Sequence, residues 1–182
     1  YNTFVGDSAG YKNTIGSENS YIGDKAGYYS ISGENNVFIG NSAGYENNFA
    51  DSCIFIGNRS GYNNNGNSNV FIGNRAGYSN SSGRYNVFQG YYAGYSNTTG
   101  DDNVFQGYKA GYESSGSINV FLGKNTGYSN SGDRNIFLGI MVGHENEGDY
   151  NIFQGSYTGY YNTTGYENIF LGRNTGYSNT TG

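Results

Sequence analysis

Asn69-Val70-Phe71-Ile72-Gly73-Asn74-Arg75-Ala76-Gly77-Tyr78-Ser79-Asn80 is one statement of a phrase that the chain makes eleven times. The phrase is Asn, a β-branched residue, Phe, an aliphatic residue or Gln, Gly, two variable residues, a small residue, Gly, Tyr and a polar turn. A repeat this short and this regular decides the fold class before any other feature is weighed.

The central aromatic recurs as Phe4, Tyr21, Phe38, Phe55, Phe71, Phe88, Phe105, Phe121, Phe137, Phe153 and Phe170, at intervals of 16 or 17 residues. A second series follows as Tyr11, Tyr28, Tyr45, Tyr62, Tyr78, Tyr95, Tyr112, Tyr128, His144, Tyr160 and Tyr177. All 32 glycines fall at three positions of the repeat: after the Phe strand, before the Tyr, and in the polar turn. Only the third copy lacks its turn glycine, with Ala50 and Asp51 there. Glycine used so regularly is expected at positive φ or at tight corners.

A period of 16 or 17 is too short for two helices and a loop, and Val, Ile, Phe, Tyr, Asn and Gly are poor helix formers. Along Asn69–Gly73 the side chains alternate, so Phe71 faces one way and Val70 and Ile72 the other. Ala76-Gly77-Tyr78 is expected to form a second short strand. Each copy then becomes one coil of an all-β solenoid, a β-roll of eleven coils without caps, about 53 Å long at a strand spacing of ~4.8 Å. The absence of proline suits a ladder that needs its backbone N–H groups.

The small residue opposite the Phe is Ala43, Ser60, Ala76 or Thr126 in different copies, which fits a narrow coil holding one large ring and one small group. Phe is therefore expected to point inward, with Phe38, Phe55, Phe71, Phe88, Phe105, Phe121, Phe137, Phe153 and Phe170 as the core ladder. Val37, Ile54, Val70 and Val87, beside Ile39, Ile56 and Ile72 but Gln89, Gln106 and Gln154, then form an outer apolar strip. A strip of that length calls for burial against other chains, so copies of the chain itself are the expected partners.

Residues 1–182 read as a single repeat array. It begins without Met and stops at both ends in repeat sequence, as a segment of a longer fibre would. With 35% hydrophobic residues, 18% aromatic and only 13% charged, the core is expected to be thin and repetitive. The net charge of −5 and scattered Lys and Arg offer no basic stripe for nucleic acid. No apolar run is long enough for a membrane span.

The Asn-Val-Phe-Ile-Gly strand, followed by Ala-Gly-Tyr and by Asn97-Thr98-Thr99-Gly100, resembles the head repeats of YadA-type trimeric autotransporter adhesins. It is also similar to related arrays in phage-type tail-fibre proteins. The resemblance covers the whole chain, although those strands usually carry Ala where Phe stands here, in a shorter coil. It implies a left-handed, usually trimeric β-roll used for attachment or as a stalk, at the cell surface or outside the cell, with host-surface or carbohydrate ligands.

Catalysis needs convergent titratable groups, and His144, the only histidine, stands in the Tyr series as one planar ring replacing another. Asp101, Asp102, Glu145 and Glu147 fall in turns without a repeating register, which implies neither a calcium ladder nor an acid–base pair. Cys53 is alone and replaces the strand Asn, so no disulfide forms within the chain. No enzyme, cofactor or metal is expected. Sequons occur at Asn58, Asn80, Asn97, Asn162 and Asn179. The last four share one turn position, so glycans there would line one edge; in a chain this rich in turn-favouring Asn, sequons also arise by chance. Two roles follow: a fibre or stalk, or a binding surface in which Tyr ladders meet carbohydrate or a flat face meets ice.

Overall fold

A computed structural model describes residues 1–182 and contains strands and turns but no helix. In chain order the strands are β1 (Thr3–Val5), β2 (Ser20–Ile22), β3 (Val37–Ile39), β4 (Ile54–Ile56), β5 (Val70–Ile72), β6 (Val87–Gln89), β7 (Val104–Gln106), β8 (Val120–Leu122), β9 (Ser129–Asn130), β10 (Ile136–Ile140), β11 (Glu145–Asn146), β12 (Ile152–Ser156) and β13 (Ile169–Leu171). All but β9 and β11 join one 11-stranded parallel sheet in strict chain order. Its register sets each residue on its counterpart one repeat away, as with Phe71 on Phe88 and Val70 on Val87. This is a β-solenoid, as the periodicity requires.

Phe points inward. The rings of Phe38, Phe55, Phe71, Phe88, Phe105, Phe121, Phe137 and Phe153 are wholly buried, and Phe170, in the last coil, is partly so. Successive rings lie nearly parallel, with Phe71 to Phe88 at 4.8 Å and 5° and Phe105 to Phe121 at 4.7 Å and 4°. Each buried ring contributes roughly 2–3 kcal/mol of apolar transfer, so the core is a single file of aromatic rings repeated along the rod. Ala26, Ala43, Ala76, Ala93 and Ala110 occupy the small position, also fully buried.

The expected second strand is not there. Ala76-Gly77-Tyr78 and its equivalents form a turn, because Arg75 at φ 55° and Gly77 at φ 58° alternate left-handed residues with right-handed ones and break the extended geometry. Hydrogen bonding still runs from coil to coil there, with the Gly77 N–H donating to the Ala93 carbonyl at 2.9 Å. A true second pairing exists only between β9 and β11.

Two glycine positions show why the repeat needs them. Gly44, at φ 60°, lies against the ring of Phe38, where a Cβ would come within 2.6 Å of a ring carbon. Gly83 does not adopt a positive φ; it is needed because a Cβ would lie 2.5 Å from the Gly100 carbonyl oxygen of the next coil. The turn glycines thus answer to coil spacing rather than to backbone conformation.

Two columns of buried asparagine hold the polar side of the coil. In the column that opens each strand, Asn86 accepts the Asn103 N–H at 3.0 Å through Oδ1 and donates through Nδ2 to the Gly100 carbonyl at 2.8 Å. The second column runs through Asn64, Asn80, Asn97, Asn130, Asn146 and Asn162. There Asn80 Nδ2 donates to Asn64 Oδ1 and to the Gly83 carbonyl, both at 2.7 Å. Buried amides stacked this way satisfy one another and the turn carbonyls together.

At one of the two coils where the second column carries Ser in place of Asn, the cause is local. Ser30 replaces it in the coil where Tyr21 replaces Phe, and the Tyr21 hydroxyl and Ser30 Oγ lie 2.6 Å apart. Burial pushes the Tyr21 phenol up to about 12, so it stays protonated and available for that bond. The next Asn, Asn47, finds no Oδ1 at position 30 for its Nδ2, and its own Oδ1 is unpaired because Asn64 Nδ2 donates to the Gly66 carbonyl and Cys53 Sγ; Ser114, in a coil with Phe rather than Tyr, has an unpaired Oγ.

Candidate functional site

Four longitudinal features make up the surface of the rod. The first is the outer face of the large sheet. Val37, Val70, Val87, Val104, Ile136 and Ile152 form one column and Ile22, Ile39, Ile56, Ile72 and Leu138 another, broken by Gln89, Gln106 and Gln154. Ile54, Ile56, Ile72, Val87, Val104, Ile136 and Ile152 are each between 36% and 40% exposed. A β-branched column unbroken over nine strands from Val37 to Ile169, beside a second column interrupted by Gln, is far more apolar surface than isolated exposed side chains provide.

The second feature is the Tyr ladder. Tyr45, Tyr62, Tyr78, Tyr95, Tyr112, Tyr128 and Tyr160 are half-buried, and Tyr177, in the last coil, is exposed. Neighbouring rings stack face to face, with Tyr78 to Tyr95 at 5.1 Å and Tyr95 to Tyr112 at 5.1 Å and 6°. His144 sits in this stack, 4.9 Å from Tyr128 and 4.6 Å from Tyr160. Partial burial pushes its imidazole below the ordinary histidine range, against the opposing pull of Glu145 and Glu113. Each ring face in the ladder is covered by its neighbours, so the ladder presents ring edges to solvent.

The sequon column proves to be the second asparagine column, turned inward. Asn80, Asn97 and Asn162 are fully buried, and the Nδ2 atom that a glycan would modify donates to a turn carbonyl in each, at 2.7, 2.9 and 2.7 Å. Asn179 makes the same bonds, to Asn162 and Gly182, from a partly buried position in the final coil. Attachment of a glycan at the three interior positions requires the coil to open. Asn58, outside that column, is exposed and donates to Asn41 Oδ1.

The remaining two features are charged edges that sequence reading missed. The turn before the strands carries Glu18, Glu34, Asp51, Asp101, Asp102, Asp133, Asp149 and Glu167, against Arg84 and Arg134. Glu34, Asp51, Asp101, Asp133 and Asp149 share one register, with Glu18, Asp102 and Glu167 one residue on: Asp51 accepts the Glu34 N–H at 2.8 Å, Asp101 the Arg84 N–H at 2.7 Å, Asp133 the Ser117 N–H at 2.7 Å and Asp149 the Asp133 N–H at 2.8 Å. On the other side of the strands, the variable pair carries Lys25, Arg59, Arg75, Lys109, Lys124 and Arg173, against Asp7 and Asp24. Six of the chain's nine basic residues thus lie along one edge. Lys109 Nζ rests 4.9 Å from the Tyr112 ring, and Arg75 donates to the Tyr92 hydroxyl. The signal was legible only by aligning the copies and reading down each column.

Cys53 is buried, and its burial pushes the thiol up to about 11. A groove beside His144 is lined by Glu113, Glu145 and Glu147. The chain has no helix long and apolar enough to cross a membrane. Comparison with protein-family models, with curated proteins and with solved structures finds no match to this chain.

Proposed function

We propose that this chain is a structural element of an extracellular or cell-surface filament, stalk or adhesin fibre, which associates with copies of itself through the apolar sheet strip and has no catalytic role. The observation that carries the reading is the uncovered β-branched face of an 11-stranded parallel sheet. Stiffness would come from hydrogen bonds that run along the rod and from the stacked aromatic core, both of which repeat without interruption.

The alternative of a carbohydrate- or ice-binding surface draws less support. Sugars stack on open ring faces, whereas the Tyr ladder covers its own. Thr pairs recur only at 98 and 99, 163 and 164, and 180 and 181, which is no regular array.

Sedimentation of the purified chain tests the reading. The expected mass is a multiple of 19.7 kDa, reduced to that of one chain by Ile54→Lys, Ile72→Lys and Val104→Lys together. A wild-type chain that stays monomeric at every concentration would refute it.

A further inference from the structure

The two charged edges lie at opposite margins of the apolar strip, with acidic residues before seven of the eleven strands and basic residues after six. We infer that a second copy of the chain covers the strip, sheet against sheet, with both rods pointing the same way and each coil opposite the same coil of its partner. The inference rests on the proposed self-association and adds its geometry.

A two-fold pair must place its axis in the interface, and two choices are possible. If the axis runs along the rod, the strand direction reverses across the interface, and the acidic margin of each copy meets the basic margin of the other. If the axis runs along the strands, the rods are antiparallel, and acidic meets acidic while basic meets basic.

In four coils the parallel choice sets opposite charges against one another. Lys25 comes opposite Glu18, Arg59 opposite Asp51, Lys109 opposite Asp101 and Asp102, and Arg173 opposite Glu167, because each of these sets flanks a single strand. Symmetry doubles every match. Asp24 opposite Glu18 is the one like-charged approach, and Lys25 lies beside it. In the antiparallel pair Arg59 would instead oppose Lys124, Arg75 would oppose Lys109, and Glu18 would oppose Asp149. Like charges set opposite one another suppress the wrong arrangement more strongly than matched ones strengthen the right one.

Size is consistent with a stable pair. A strip about 53 Å long and five residues wide, at ~3.4 Å each, covers roughly 900 Å² per partner, the scale of a standard interface. Sheets pack about 10 Å apart, within reach of a Lys or Arg side chain from either margin. Arg59 and Lys109 now lie over Tyr62 and Tyr112, at 6.0 and 4.9 Å, exposed contacts that such side chains leave at small cost.

Cross-linking reads the orientation directly. In a Cys53→Ser background, Ser20→Cys and Ile22→Cys chains are co-expressed under different tags and treated with a short bismaleimide, which spans facing sheets about 10 Å apart, since the parallel pair sets position 20 of one copy opposite position 22 of the other. A cross-linked heterodimer is expected from that combination and none from Ser20→Cys with Ile152→Cys, which the antiparallel pair would join. Sedimentation should give twice 19.7 kDa. The triple variant Lys25→Glu, Arg59→Glu and Lys109→Glu should weaken pairing on the order of 10- to 100-fold at low salt. Adding Glu18→Lys, Asp51→Lys, Asp101→Lys and Asp102→Lys should restore it, with circular dichroism confirming that each variant is folded. A trimer mass, a 20-to-152 cross-link or no effect of charge reversal overturns the parallel pair while leaving self-association intact. A monomer overturns both.

Discussion

The Tyr21–Ser30 pair gives the sharpest test of the buried polar columns. Tyr21→Phe removes one buried hydrogen bond and leaves Ser30 Oγ without a partner, at a cost of about 1–2 kcal/mol. Ser30→Asn alone pushes an amide against a hydroxyl already 2.6 Å from the side chain it replaces, an overpacking cost of about 1–3 kcal/mol. The double variant rebuilds the Phe and Asn arrangement of the other coils, and its new Oδ1 accepts from Asn47 Nδ2, which is unpaired in the wild type. It should therefore be at least as stable as wild type, a coupling of about 2–5 kcal/mol in favour of the pair. The same logic carries to Phe105→Tyr, which places a hydroxyl nine residues before Ser114, the offset of Tyr21 and Ser30, and should stabilise by about 1 kcal/mol. Guanidinium unfolding followed by circular dichroism measures the global effect. Hydrogen exchange in the second coil measures the local one, because a repeat array can open segment by segment. Additive single effects, or a Tyr21→Phe chain as stable as wild type, would refute the reasoning.

Asn86→Leu should cost about 1–3 kcal/mol, since it leaves the buried Asn103 N–H without a partner while the Gly100 carbonyl keeps its bond from Asn97 Nδ2; faster exchange at Asn103 would report it. Ile118→Asn should raise stability by about 1 kcal/mol, because a β-branched residue at φ 61° is strained and its side chain is largely exposed; a lower unfolding midpoint would count against this. His144 binds its proton less readily when folded, so stability should be full above the ordinary histidine range and fall as pH drops through about 6.5 toward the lower folded value. His144→Tyr should remove that step in a pH series of unfolding midpoints.

Much of the fold was legible in the residues themselves. The invariant spacing of Phe71, Gly73, Gly77 and Tyr78 dictates coils, and alternation along Val70-Phe71-Ile72 separates an inner face from an outer one, because a strand turns successive side chains to opposite sides. The small residue at Ala76 was enough to choose which face the ring fills. These are local facts about the chain's own period, and a parallel stack merely repeats them.

Other properties depend on which atoms the stack brings together. Asn80 reads as a turn residue and a sequon in the sequence, but the coil above supplies Asn64 Oδ1 and so turns its amide inward. Ala76-Gly77-Tyr78 reads as a strand, but left-handed residues at Arg75 and Gly77 bend it. Lys25, Arg59 and Lys109 are scattered along the chain and become an edge only when 16- or 17-residue coils are superposed. Periodicity set the coil, because backbone geometry is local; the charged margins, the buried amides and the exposed strip are properties of neighbours, which exist only once the coils are stacked.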